Sequence, residues 1–350
     1  MYRIADEGSV KLYIPEEGKI SKKLPVFFNP EMKLNRDIAL YIIGKLKPER
    51  CLDAMAGTGV RALRILKETS CTNVAANDLN PEAAKLIKRN AELNNLDLEV
   101  HNQDLNVLLR QGQWFDYIDI DPFGSPVYHM DSASIALRNT GILAITATDL
   151  GCLYGKFVNR CRLRYSSVPL NCHFGNELGI RIMVQKAQCD AAKHEKALFP
   201  IFVHATRHYV RAYLRCLNSS SFANRMMKGI GYMQYCPKCL RQITSTHPLK
   251  EKCCGNDMLL AGPMWLGHLW EEKLAEDFGL IKHIREESKI HTVGYHHIPT
   301  FCKKYNIPEI KRIDDIIEDV KSKGYLASRT HFEPQAVRTD MPHGEFVKII

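Results

Sequence analysis

From residue 50 to about residue 150 the chain repeats one pattern: a short apolar strand, a turn that carries an aspartate, and a helical stretch. "RCLDAMAGTGVRALRILKE" gives a strand reaching Asp53, a small-residue turn through Ala56, Gly57, Thr58 and Gly59, and an amphipathic helix. "NVAANDLNPEAAKLIKRNAELNN" gives a strand ending at Asp78, with Asn80-Pro81 as helix cap and first turn. "DLEVHNQDLNVLLRQ" reads as a third strand reaching Asp104, "FDYIDIDPFG" as a fourth closing on Asp121, and "GILAITATDL" after Gly141 as a fifth. Strands separated by single helices predict a parallel sheet with helices on both faces, a doubly wound α/β fold. Leu198 to Arg215 predicts two further strands about a turn at Thr206-Arg207 that complete the sheet. Ligands of such sheets bind at the carboxyl ends of the strands, so Asp53, Asp78, Asp104 and Asp121 mark one rim.

The "AGTG" turn fits a dinucleotide, S-adenosylmethionine, or a tight connection alone. It is not G-x-G-x-x-G, which argues against a nicotinamide dehydrogenase. An acid after the second strand accepts hydrogen bonds from the hydroxyls of any adenosine ribose, and Asp104 is placed to accept from an adenine amino group. The sharper signal is "YIDIDPFGSP", Tyr117–Pro126, an apolar strand that carries Asp119 and ends in Asp-Pro-Phe-Gly. An exocyclic amine of a nucleobase is a poor nucleophile, because its lone pair is delocalised into the ring. The Asp121 carboxylate and the Pro122 carbonyl can accept its two N–H bonds and aim its nitrogen at a sulfonium methyl. Phe123 can stack on the extruded base. Gly124 and Ser125 are small enough to leave room for a second methyl group. Asp119 reads either as a supporting acid near the cofactor or as a partner of Arg36 or Arg61.

With these residues in place, the chain resembles the tRNA (guanine(26)-N2)-dimethyltransferases in their archaeal form. The resemblance is carried by "FFNPEMKLNRD" (Phe27–Asp37), "LDAMAGTGVRALR" (Leu52–Arg64), "ANDLNPEA" (Ala76–Ala83), "DIDPFGSP", "ATDLGCLYG" (Ala147–Gly155), "HYVRAYLR" (His208–Arg215), "GPMWLGHLW" (Gly262–Trp270) and "SRTHFEPQAVRTD" (Ser328–Asp340). It implies a class I S-adenosylmethionine-dependent methyltransferase, with a Rossmann-like doubly wound sheet and a smaller C-terminal α/β domain. It implies an enzyme that places one and then two methyl groups on N2 of guanine 26 of tRNA. Arg36, Arg61, Asp78 and Asp104 fall on that family's cofactor positions, joined here by Asp53, Gly57 and Gly59 of the first turn, and Leu105 matches a position used through its backbone. A guanidinium at position 36 can fork onto the methionine carboxylate. Asp121 falls on the catalytic acid with Phe123 as its stacking partner, and Phe27 and Asn29 are expected to close the substrate pocket. The rivals are an amino-methyltransferase of another RNA or DNA base and a non-catalytic RNA-binding protein on this scaffold.

A formal charge of +9 fits a polyanionic partner. Basic residues alternate with aromatics in "GKFVNRCRLRY" (Lys156, Arg160, Arg162, Arg164 beside Phe157 and Tyr165) and in "TRHYVRAYLR" (Arg207, His208, Arg211, Arg215). Such segments suit phosphate contacts with base stacking, or a strand with one solvated basic face. Polar residues thicken near residue 220, which divides the chain into a methyltransferase domain at 1–222 and a tRNA-docking domain at 223–350. There "YCPKC" and "EKCCG" offer Cys236, Cys239, Cys253 and Cys254 to a structural zinc ion. Adjacent cysteines are awkward on one tetrahedral ion, which leaves His247 as an alternative ligand and a disulfide or a metal-free knuckle as the other readings. The helical stretches "WEEKLAEDFGLIKHIREE" and "DDIIEDVKSKG" fill the remainder. His291, His296 and His297 read as loop and surface residues. No apolar run reaches the ~18 residues of a membrane span, no signal-peptide core is present, and the twelve cysteines follow no secreted-domain pattern. The expectation is a cytoplasmic enzyme with tRNA as its partner, no membrane association and no stable protein partner.

Overall fold

The computed structural model describes residues 2–16, 26–206 and 208–350; Arg207, expected in the basic segment, lies outside the described residues. An antiparallel hairpin opens the chain, β1 (Tyr2–Glu7) and β2 (Val10–Pro15), followed by α1 (Lys33–Leu46). The alternating region then runs β3 (Arg50–Asp53), α2 (Val60–Glu68), β4 (Asn73–Asn77), α3 (Pro81–Leu93), β5 (Glu99–His101), α4 (Leu105–Leu109), β6 (Phe115–Ile120), α5 (Met130–Ala136) and β7 (Leu137–Ala147). After α6 (Leu150–Leu153), α7 (Val158–Tyr165) and α8 (Gly175–Ala192), the hairpin β8 (Lys196–Ala205) and β9 (Val210–Asn218) closes the sheet. Its order is β5-β4-β3-β6-β7-β9-β8, with the first five strands parallel and β9 antiparallel to both neighbours. The expected doubly wound sheet is present, and its order reverses between β3 and β6. That reversal opens a crevice at their carboxyl ends, between Asp53 and Asp121.

Local chemistry sets the helix starts on this rim. Asn80 caps α3 by accepting from the Glu82 N–H, with Pro81 in the first turn. Asp104 caps α4 by accepting from the Asn106 and Val107 N–H groups. The third strand stops at His101, three residues before Asp104, and the fifth begins at Leu137, four residues before Gly141.

The second half continues as α9 (Ser220–Met227), β10 (Ile230–Tyr235), β11 (Gln242–Ser245), the short hairpin β12 (Lys252–Cys253) and β13 (Asn256–Asp257), and β14 (Leu259–Trp265). The last stretch holds α10 (Glu272–Glu276), α11 (Ile284–Glu287), β15 (His296–His297), α12 (Ile298–Tyr305), α13 (Ile313–Ser322), β16 (Ala327–Arg329), β17 (Ala336–Thr339) and α14 (His343–Ile349). β11-β10-β14 and β15-β17-β16 form two three-stranded sheets. The helical pattern of residues 270–287 resolves into two short helices, α10 and α11, with His283 left-handed (φ 74°) at the start of the second. One apolar core runs from Ile38 to Ile349 through both halves. No helix among the described residues is long and apolar enough to cross a membrane.

α8 is the joint between the halves. Its Glu177 and Arg181 are buried, and Glu177 pairs with Arg338 of β17 at 2.6 Å. Arg338 also reaches Glu287 of α11 at 3.1 Å, and Glu287 bonds His331 at 2.6 Å. His296, expected at the surface, is buried in β15 beside Phe346, and burial pushes its imidazole down to about 3. The sequence hides this because His296 enters the core only through the pairing of β15 with β17.

Candidate active site and cysteine cluster

The crevice at the β3/β6 switch is a cavity of about 630 Å³. Of the expected site residues, Phe27, Asn29, Arg36, Asp53, Gly57, Arg61, Asp78, Asp104, Leu105, Asp121, Pro122 and Phe123 all line it. Gly59 does not: it sits left-handed (φ 79°) at the start of α2, where a Cβ would come within 3.1 Å of Ile87. Its role is the tight turn and the close packing of α3. Gly57 (φ 55°) does face the cavity, and a Cβ there would stand 2.8 Å from the Phe27 carbonyl. Its N–H donates to Asp78 Oδ2 at 2.8 Å, while Asp78 Oδ1 accepts from the Asn80 N–H. Burial pushes the Asp78 carboxyl up, and these two N–H groups oppose the shift.

On the β6 side a buried ionic chain holds the tip. Arg61 Nη2 donates to Asp121 Oδ2 at 2.5 Å, and its Nη1 donates to Asn35 at 2.9 Å and lies 3.4 Å from Asp119. Asp53 stands 3.9 Å from the same guanidinium. Asp119 is fully buried and grips Arg211 of β9, which donates to Oδ1 at 3.2 Å and to Thr146 at 2.6 Å, while Tyr117 donates to Oδ2 at 2.8 Å. Burial alone would raise the Asp119 carboxyl, but Arg211 and then Arg61 hold it below the usual carboxylate range. Asp53 goes the other way: burial pushes it up to about 7, with Asp119 and Asp121 adding to the shift and Arg61 opposing it.

Asp119 therefore pairs with Arg211 as well as Arg61, and not with Arg36. Arg36 instead forks onto Glu7 of the N-terminal hairpin, both bonds at 2.6 Å. Arg211 is not on a solvated face of "HYVRAYLR" but fully buried, and Tyr165 is buried with its hydroxyl donating to Asp149 at 2.8 Å. The sequence gives no sign of Glu7's part in the site, and it shows Arg211 only as one basic residue among several in an aromatic segment. Glu7 follows no motif, and only a count of the acids on β6 against nearby cations signals a need for Arg211. Phe123 stands edge-on to Phe27 with ring centroids 4.2 Å apart, and His129, Thr148 and His208 also line the cavity.

The four cysteines converge. Cys236, Cys239, Cys253 and Cys254 each offer a sulfur, and all four sulfurs lie within 4.8 Å of one another; His247 is not among them. The adjacent pair reaches one point because Cys254-Gly255 forms the two-residue turn of the β12–β13 hairpin with φ 52° and 74°, a type I′ geometry. A left-handed cysteine is strained, which is the kind of cost kept where a site demands it. No disulfide joins any of the twelve cysteines. Although burial pushes it up, the N–H groups of Cys239 and Lys238 bring the Cys236 thiol down to about 7. Four convergent thiols, one readily ionised, fit a tetrahedral zinc ion. Purified protein is expected to carry one zinc per chain by elemental analysis, and Cys254→Ser is expected to lower both metal content and Tm. Protein that is zinc-free after expression in zinc-replete medium, with a Tm unmoved by a chelator, would rule the metal out.

The chain matches the N2,N2-dimethylguanosine tRNA methyltransferase profile over residues 8–350. It is 34% identical to the tRNA (guanine(26)-N(2)/guanine(27)-N(2))-dimethyltransferase of Aquifex aeolicus, covering 99% of this chain and 95% of the relative. It is also 34% identical to the tRNA (guanine(26)-N(2))-dimethyltransferase of Methanosphaera stadtmanae, covering 99% and 96%. Among solved structures, Trm1 from Pyrococcus horikoshii in complex with S-adenosyl-L-methionine superposes with a TM-score of 0.88 at 29% identity, over 99% of both chains.

Proposed function

This chain belongs to the N2,N2-dimethylguanosine tRNA methyltransferase family, and from that membership we propose that it methylates the exocyclic N2 of guanine 26 in tRNA, once and then again, in the cytoplasm. Its fold is that of a class I S-adenosylmethionine-dependent methyltransferase. The observation that carries the reading is the Asp-Pro-Phe-Gly tip held by Arg61 at the mouth of a cavity lined by Asp78, Asp104 and Gly57.

The cavity's donor set fits S-adenosylmethionine, which when bound supplies an electrophilic methyl on a sulfonium. Asp78, anchored by the Gly57 and Asn80 N–H groups, is the ribose acceptor. Asp104 and the backbone of Leu105 hold the adenine, and Arg36, whose Nε and Nη2 donate to Glu7, offers Nη1 to the amino-acid end. Asp119 and Asp121 sit against Arg61 and Arg211, and Asp53, pushed up to about 7 by burial, stands beside the same Arg61 guanidinium.

At the reacting end, Arg61 occupies Oδ2 of Asp121 and leaves acceptor capacity on the other oxygen for the guanine amine. The Pro122 carbonyl accepts the second N–H, and Phe123, backed by Phe27, stacks on the base. The amine nitrogen is thereby held in one orientation, and the charge that develops on it meets a carboxylate. Asn29 helps close the pocket, and the cysteine cluster shapes a tRNA-facing surface within a docking module proposed for residues 223–350.

The test is methyl transfer from labelled S-adenosylmethionine to unmodified tRNA transcript, followed by nucleoside analysis. N2-methyl- and N2,N2-dimethylguanosine at position 26 are expected, together with loss of labelling in a transcript whose guanine 26 is replaced. Methylation confined to another base or another RNA class would refute the reading.

A further inference from the structure

Two further hollows open beside the catalytic cavity, and shared residues join all three into one track. The first, about 300 Å³, shares Thr148 and His208 with the catalytic cavity and is walled by Phe157, Arg160 and Arg164. The second, about 530 Å³, shares Arg160 and Arg164 with the first and ends at Tyr128 and Leu163. α7 makes this possible: positions 160, 163 and 164 fall three and four apart on one side of the helix, and Phe157 caps its start.

The surface chemistry of this track is unusual for a water-facing helix. Leu163 is 86% exposed and Tyr128 64%. Neither joins the core, so they leave an apolar wall uncovered next to arginines. Arg164 is held by Asp149 at 2.8 Å, but Arg160 has no carboxylate partner among the described residues. Its guanidinium lies instead 5.2 Å from the centre of the Phe157 ring. A cation without a counter-ion beside an exposed aromatic is the makeup of a single-strand nucleic-acid platform, where phosphate meets the charge and a base stacks on the ring.

Continuity decides which strand this is. A base that enters the catalytic cavity must leave its stack, and its flanking backbone then has to exit through a groove that opens into the same mouth. We propose that this track carries the RNA strand adjoining the target guanine, with a phosphate at Arg160 and a neighbouring base stacked on Tyr128 against Leu163. The proposal rests on the tRNA reading above and adds to it a subsite remote from the reacting atoms. Because that subsite holds the substrate's backbone rather than its target base, it governs tRNA affinity and not the chemical step.

The test uses the full chain with Arg160→Ala, Tyr128→Ala and Leu163→Ser. For each, tRNA binding is measured across a salt series, alongside S-adenosylmethionine binding and methyl transfer at saturating tRNA. Each variant is expected to weaken tRNA binding about tenfold. Arg160→Ala is also expected to reduce the salt slope by about 1, the loss of a single phosphate contact. Cofactor affinity and the saturated rate are expected to stay at wild-type values, which shows that the variants are folded. If wild type methylates tRNA and all three variants bind it with wild-type affinity and salt slope, the track is overturned and the enzymatic reading stands. If wild type neither binds nor methylates tRNA, the enzymatic reading falls and the track falls with it.

Discussion

Alanine at position 121 is expected to lower methyl transfer to tRNA about 100- to 10,000-fold, the range for losing a group that orients and stabilises the reacting centre. S-adenosylmethionine affinity is expected to remain close to wild type. The fold should survive, because Arg61 keeps Asn35 at 2.9 Å and Asp119 at 3.4 Å when Asp121 is gone. What disappears is the carboxylate that Asp121 presents to the cavity at the tip of β6, and with it the acceptor that holds the guanine amine. Asp121→Asn retains one acceptor oxygen but no charge, and is expected to fall between alanine and wild type. The comparison is made as single-turnover rate at saturating tRNA, with cofactor binding measured in parallel. An Asp121→Ala enzyme that turns over at wild-type rate would remove Asp121 from the mechanism.

The second large effect concerns stability. Arg338→Met leaves Glu177 and Glu287 buried with a lost partner each, at 2.6 and 3.1 Å in the intact protein. Breaking one side of a buried ion pair costs about 3–5 kcal/mol, because a carboxylate cannot be rehydrated inside the core. Arg181 and His331 offset part of this, so the lower end of the range is expected. Tm should fall by several degrees, and chemical denaturation should begin earlier in the half of the chain that follows α8. A Tm within one degree of wild type would show that this cluster does not clamp the two halves.

Acidification probes the same cluster. Burial raises the Glu287 carboxyl, but His331 and Arg338 overcome that and hold it at about 2, against 4.5 for a free glutamate. A carboxyl depressed on folding stabilises fully above its unfolded value. Its contribution to stability is therefore present above about pH 4.5 and is lost as pH falls towards 2.

The catalytic rim was legible because its determinants are local. A strand that ends in an acid, a small-residue turn and a capped helix are encoded within about ten residues, so Asp53, Asp78, Asp104 and Asp121 could be set on one edge from spacing alone. The convergence of the cysteines was legible only in part. The side-chain types named the metal chemistry, but whether Cys253 and Cys254 both reach one point depended on the positive φ of Cys254 in a two-residue turn. Residues whose meaning depends on distant pairing cannot be placed from local pattern. His296 looks like a polar loop residue until β17 pairs with it, and Arg211 looks like one of several basic surface residues until β9 is laid beside β7.

The alternating strands and helices, the cofactor rim and the Asp-Pro-Phe-Gly tip are each written in contiguous residues whose backbone preferences act over a few positions, and the family is legible from motifs spread between Phe27 and Asp340. The charge arrangement came from the packed fold alone: which cation answers Asp119, which acid steadies Arg36, and how Glu177 meets Arg338 across 161 positions. A buried ion pair is fixed by the packing that removes its water, and that packing joins segments that no local pattern connects.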